Sequence, residues 1–387
     1  MSFMNEGKNL TGSYGKIKPA IKAAVKTPWL WLIMLFPAGL LLSAAADNIE
    51  GAADLYCNTI YRAVSIVWNN ISGLIPFSLG EIIILILPFA VLAYIIVSVV
   101  IIVRSKGNRL KKTLMAFVRL IAAASVIFFL FVVNCGINYS CSSFSEQSGF
   151  VAREASAKEL YQVCVYLADE ASQARSMLGV GESEPIRVDA SSVRYAAREA
   201  VNALHQKYSA VSDGYSAPKS VMLSRGMSYL NITGIFFPYT FEANVNTDAN
   251  DFSLPFTMCH ELAHVRGFMN EADANFIAFL ACVRTDVPLM RYSGCMSALK
   301  YLMNHLYSAD TELYESFAGH FSRGMLTDLQ AQSEYWKQFE TPVAAAASSI
   351  NDSYLKINRQ QEGVRSYGRV ADLIIAYYFD EIASVNS

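Results

Sequence analysis

Two of the chain's five histidines stand four residues apart, in the run His260-Glu261-Leu262-Ala263-His264. Residues at that spacing share one face of a helix, so both imidazoles can reach a single divalent cation, and zinc suits such a pair. Glu261 would stand beside a water held by the metal, where a carboxylate can take its proton. Catalytic zinc uses three protein ligands and keeps one position open. Glu271 is the natural third ligand, with Glu242 and Asp273 as weaker rivals. Asn275, one turn beyond Glu271, is placed to accept a hydrogen bond from a ligand histidine's other ring nitrogen and so fix its orientation. Such a set would drive water onto a carbonyl carbon, with Glu261 passing the proton to the leaving amine. A further donor would steady the oxyanion, and Tyr367, Arg365 and His320 are the candidates. Plainer readings stand beside these. The histidines could share a half-exposed helix by chance, and Glu271 could simply favour a helix's positive end.

The flanks supply the helix that this spacing requires. Ser253 can cap its start, Pro255 falls in its first turn, and Gly267 sits just past its end. A second helix is expected from about Asn270, carrying Glu271 and Asn275 on one face; Asp273 lies off that face and is expected in solvent or at the helix start. Strand-like residues are confined to about 219–246: Val221 to Leu223, Tyr229 to Phe237, then Phe241 to Asn246, punctuated by Gly234 and Pro238. The stretch Gly234 to Asn246 is either an ordinary core strand or the edge on which an extended peptide adds, and Pro238 favours an edge. Helical spacing recurs around 156–179, 189–207, 289–307, 311–322, 325–339, 343–358 and 366–382. Residues 141–387 therefore read as one α+β, mostly helical domain with a small sheet. Cys259 and Cys282 fit small buried hydrophobes, and Cys135 and Cys141 stand close enough in sequence to pair.

Composition speaks to where such a domain would work. Of 387 residues, 53% are hydrophobic and only 17% charged, against about 25% charged in soluble proteins. A disordered chain is excluded, and a net charge of −2 lends nucleic-acid binding no support. Three runs concentrate the deficit. Trp29 to Ala46 and Ile82 to Val103 carry no charge, and Leu114 to Val133 carries only Arg119, which can snorkel toward an interface. Roughly 20 residues cross a ~30 Å hydrocarbon core, and Pro88 is tolerable in such a helix. Ser43 to Ala46 resembles a signal-peptide cleavage site, but the 28 residues before Trp29 make a long leader. Lys8, Lys16, Lys18, Lys22 and Lys26, with Arg104, Lys106, Arg109, Lys111 and Lys112, place leader and loop in the cytoplasm. The expected order is a cytoplasmic leader 1–28, then a transmembrane region 29–134 with spans about 29–46, 82–103 and 114–133. Within it, residues 47–81, with Tyr56 and Trp68, form an interfacial helix and turn. The domain 141–387 then lies outside the cytoplasmic membrane. The expected partners are a lipid bilayer and a peptide or protein substrate, with no nucleic acid.

HELAH followed by Glu271-x-x-Ala274-Asn275-x-x-Ala278 resembles the gluzincin metallopeptidases. Their second helix reads Glu-x-x-Ala-Asp-x-x-Ala or Asn-Glu-x-x-x-Asp, with its glutamate on zinc, and Asn270-Glu271 matches the latter's opening. This chain departs in two ways. Asn275 stands where those enzymes usually have Asp, so that partner is neutral, and only six residues separate His264 from Glu271, fewer than in most members. The longer stretch PYTFEANVN…PFTMCHELAHVRGF…NEADANFIAFLAC resembles an uncharacterised bacterial membrane family with three spans and an outer HELAH domain. That resemblance runs from the first span to residues 363–373. Together they imply a zincin-like fold, bound Zn2+ held by His260, His264 and Glu271, and a membrane-anchored zinc metallopeptidase. The alternative is a zinc-binding membrane sensor or signalling protein on the same fold, against which the intact Glu261 argues. An intramembrane protease would need its motif in an apolar span, whereas Ser253, Thr257, Arg266, Asn270, Glu271 and Asp273 crowd this one. A transporter would need more ionisable groups in its spans than Arg119.

Overall fold

The computed structural model describes residues 28–153, 155–358 and 363–383, without the side chains of residues 363–367 and 383. The expected leader lies outside the described residues, save residue 28. The contacts divide the chain into two units. One runs to Glu50 and resumes over Ile82–Ile137; the other joins Gly51–Glu81 to everything from Asn138 onward.

Among the described residues three helices, lying almost wholly in the first unit, are long and apolar enough to cross a membrane: Trp29–Asn48, Leu79–Arg104 and Arg109–Asn134. Their side chains are almost all turned outward, and in the most apolar stretch of the second helix none is buried. A surface of that composition suits a lipid bilayer. Between helices the contacts are few and specific. Gly39 lets the first approach the third so closely that a Cβ there would stand 3.1 Å from the Phe128 ring. The Tyr94 hydroxyl donates to the Ala116 carbonyl at 2.9 Å. The Arg119 guanidinium lies 5.7 Å from the centre of the Trp29 ring, so an aromatic face accompanies this one charge within the apolar runs.

The second unit is mostly helical with a three-stranded sheet. Its strands are β1 (Lys219–Ser220), β2 (Gly234–Phe237) and β3 (Glu242–Val245), in the order β1-β3-β2. β1 pairs parallel to β3 with Lys219 opposite Asn244; β2 pairs antiparallel, with Gly234 opposite Val245 and Phe237 opposite Glu242. β2 is thus an edge. The sheet is smaller than the residue pattern suggests. Val221 to Leu223 and Tyr229 add no strand, and Ser224–Tyr229 is a helix. The cause lies far away in sequence: the Glu81 carboxylate accepts the backbone N–H groups of Met222 and Leu223 at 2.9 and 2.8 Å, satisfying donors that a ladder would have used.

Glu242 and Lys219 form a buried ion pair across β3 and β1. The same carboxylate accepts the Leu79 and Gly80 N–H groups and the Thr240 hydroxyl, while the Lys219 ammonium donates to the Ser72 and Phe77 carbonyls. Residues 51–81 are held to this unit by polar groups turned inward. Asn69 donates to the Phe241 carbonyl and accepts the Ser216 N–H, each at 2.7 Å, and Ser65 meets the Tyr215 hydroxyl at 2.8 Å. Cys57 and Cys141 form a disulfide. Cys135, close enough in sequence to have paired with Cys141, instead caps the end of the third apolar helix, where it is buried and outside any disulfide.

Candidate metal centre

Two almost wholly buried helices carry the motif. In Leu254–Val265, the motif helix, only Thr257 and His260 escape burial; in Glu271–Val283, the ligand helix, only Glu271 and Val283 do. Helices apolar on every side must be surrounded. The motif helix accordingly packs against β2, β3, the ligand helix, and the helices Ala190–Ala203 and Pro288–Ala309. Its start departs from the sequence reading. Ser253 makes no side-chain cap, because its hydroxyl is drawn to Asp251; the Phe256 N–H is met instead by Ser293 Oγ at 3.0 Å, from a neighbouring helix. Its end is a Schellman turn. Gly267 takes φ +98°, its N–H returns to the His264 carbonyl, and the Phe268 N–H returns to the Ala263 carbonyl. Three residues later Asn270 caps the ligand helix, its side chain accepting the Ala272 and Asp273 N–H groups.

This tight reversal brings His260, His264 and Glu271 together, with one donor atom from each all within 4.8 Å of one another. Glu271 Oε2 lies 3.3 Å from His260 Nε2, and its Oε1 lies 3.6 Å from His264 Nε2. The outer ring nitrogens are tied elsewhere: His260 Nδ1 to Asn275 Oδ1 at 2.9 Å, His264 Nδ1 to the Phe268 carbonyl at 2.7 Å. A carbonyl can only accept, so His264 carries its proton on Nδ1 and, when neutral, presents a lone pair at Nε2. Burial alone would raise the Glu271 carboxyl, but hydrogen bonds and charge from both histidines hold it well below the usual carboxylate range. Burial alone would lower His264, yet Glu271 reverses the balance and carries it up to about 9.

Glu261 is buried among these groups, and its Oε2 has no hydrogen-bond partner among the described residues. Burial pushes its carboxyl upward, opposed by the charges of His260 and His264 and by a hydrogen bond from the Phe236 N–H. Its seat is cut to fit. A Cβ on Gly234 would stand 2.4 Å from Glu261 Oε1, so the side chain lies directly against the edge strand. No pattern in the sequence singles out Gly234 or the Phe236 N–H for this role, since both act through strand pairing and close approach.

The rival ligands are engaged elsewhere. Glu242 is committed to Lys219. Asp273 is buried rather than solvated, and burial raises its carboxyl to about 6. It accepts the Phe144 N–H and lines a polar cavity of about 210 Å³ with Arg62, Asn138 and Arg369. His320 meets the Tyr161 hydroxyl at 3.1 Å and stacks on Phe317. The side chains of Arg365 and Tyr367 lie outside the described residues. Cys259 and Cys282 are fully buried, their sulfurs 3.9 Å apart beneath the motif.

A mostly helical chain with three candidate membrane helices and a His-His-Glu cluster between two buried helices is the class these observations define. Residues 56–375 match the family DUF3810, described as proteins of unknown function, and the chain belongs to that family. No curated protein and no solved structure matches it.

Proposed function

We propose that this chain is a membrane-anchored zinc metallopeptidase that hydrolyses peptide bonds outside the cytoplasmic membrane. One observation carries the reading: His260, His264 and Glu271 converge with their donor atoms inward while both histidines are tethered through their outer nitrogens. That is the arrangement metal-ligating imidazoles require. The donor set fits zinc in kind and number, two imidazoles and a carboxylate, leaving a position for water. Bound there, zinc would act as a Lewis acid and lower the pKa of that water toward ~7.

The chain's own groups supply the rest. Asn275 and the Phe268 carbonyl fix the two rings. Glu261, with an unpartnered oxygen in a buried site, holds and returns the proton. β2 has no strand neighbour on the side away from β3, and its Phe236 N–H is turned to Glu261, so an extended peptide added to this edge would run past the centre. The basic residues flanking the apolar runs support the outward orientation.

The test uses the full-length chain in detergent. Elemental analysis should find about one zinc per chain, as a single three-ligand site requires. Glu261→Gln should keep the metal and lower hydrolysis of a broad peptide library by ~10²–10⁴-fold, the range of a general base. A wild-type chain that takes up no zinc refutes the reading. Zinc uptake with no peptide cut replaces it by the sensor alternative.

A further inference from the structure

The stretch from Ala52 to Gly73 is continuously helical, with a π-turn at Cys57–Tyr61. Its polarity is the reverse of that expected in water. Ser65, Asn69 and Ser72 are buried, while Trp68 is 53% exposed, Ile71 49% and Leu74, just past its end, 84%. The exposed apolar residues are not scattered. Ile60, Val64, Val67, Trp68, Ile71 and Leu74 recur in steps of three and four, so they fall in one stripe covering roughly 120° of the helix. Asn58, Thr59 and Asn70 are exposed on the same helix, and Arg62 is the sole charge from Leu55 to Gly73.

Chain length decides what covers the stripe. Ala52 follows Asn48, the end of the first candidate span, by four residues; Leu79, the start of the second, follows Leu74 by five. At ~3.3–3.6 Å per residue, Ala52 at the start of the helix and Leu74 just past its end are each within about 18 Å of the end of a candidate span. A lipid surface is therefore in reach at both ends, and an apolar stripe with a tryptophan and almost no charge is what its headgroup boundary accepts.

We infer that this stripe lies in the bilayer interface and makes the helix a membrane-docking element of the second unit. It is clamped to that unit by the Cys57–Cys141 disulfide. The Tyr61 hydroxyl donates to the Val265 carbonyl at 3.0 Å, and a Cβ on Gly267 would meet the Tyr61 ring at 3.0 Å. The docked helix therefore holds the end of the motif helix close to lipid, whatever chemistry the centre performs.

Since the spans anchor the chain regardless, the test reads depth rather than partitioning. Trp29, Trp31 and Trp336 are replaced by Phe in the full chain, leaving Trp68, and the protein is reconstituted into phosphatidylcholine vesicles. Trp68 emission should be blue-shifted, shielded from iodide, and quenched at least twofold by lipids brominated near the glycerol end of the acyl chain. Emission that is open to iodide and untouched by bromolipid overturns the inference. So does shielding from both, which would mean that protein covers the stripe. Should the triple replacement disturb folding, a nitroxide on Leu74→Cys reads the same surface. Oxygen should relax it more than a water-soluble nickel chelate does, with the reverse at Tyr195→Cys, an exposed position on the helix Ala190–Ala203. Preferential relaxation by nickel at residue 74 also overturns the inference.

Discussion

The Glu261 side chain occupies the space that a Cβ on Gly234 would need, which explains why the edge strand opens on a glycine. A methyl group there would sit 2.4 Å from Glu261 Oε1, well inside any tolerated contact, so the carboxylate or the strand has to move. The three atoms nearest that position all belong to Glu261, and none to His260, His264 or Glu271. Gly234→Ala should therefore leave zinc uptake unchanged, cost about 1–3 kcal/mol as an overpacked site does, and lower turnover by about 10²-fold through a misplaced proton carrier. Equal metal content with unaltered turnover would show that Glu261 does not act from this seat. The two histidines, the intervening glutamate and Glu271 were legible in the sequence because helical periodicity and a short loop suffice to bring them near one another. Gly234 was not, because its neighbour lies 27 positions away and reaches it only through the sheet.

Between the two helices, Gly267 does two jobs. Its φ of +98° closes the motif helix, and the turn it makes presents the Phe268 carbonyl to His264 Nδ1. Alanine in that left-handed conformation costs about 1–2 kcal/mol, and its Cβ would press on the Tyr61 ring at 3.0 Å. Gly267→Ala should lower the denaturation midpoint by the equivalent of about 1–3 kcal/mol and weaken zinc binding along with it. A stability loss without any change in zinc affinity would separate the turn from the orientation of His264. Local signals of this sort made the pair of helices and their junction readable. The rest of the element pattern depended on distant partners: Glu81 converts Val221–Leu223 from strand to helix lead-in, and Ser293 supplies the cap that Ser253 does not.

At the scale of the molecule, the chain reads as apolar helices followed by a polar domain, and the inclusion of residues 51–81 in the second unit is what that reading missed. Their inward serines and asparagines resemble a solvated face until the carbonyls that they meet are known. The second unit's stability need not wait for a metal. Without one, Glu271 already pairs with both histidines, so its charge is compensated. The chain should unfold cooperatively in chelator and melt higher with zinc, by about 2.7 kcal/mol at a free concentration 100 times Kd. The sign of the pH dependence follows from His264. Its folded pKa, about 9, exceeds the ordinary 6.5, so its pairing with Glu271 stabilises the metal-free protein fully below ~6.5 and is lost as pH rises through ~9. Zinc requires the neutral imidazole, so binding expels that proton across the same window. Glu271 stays ionised throughout. The zinc-induced gain at fixed free metal should therefore grow with pH from 6 to 9, by up to ~1.4 kcal/mol per unit from this one proton, and then level off. Thermal melts in zinc-buffered detergent at pH 6, 7, 8 and 9 would read it, with His264→Ala as the comparison. A gain that is flat across the series, or one that survives unchanged in His264→Ala, would remove His264 from the metal's ligands.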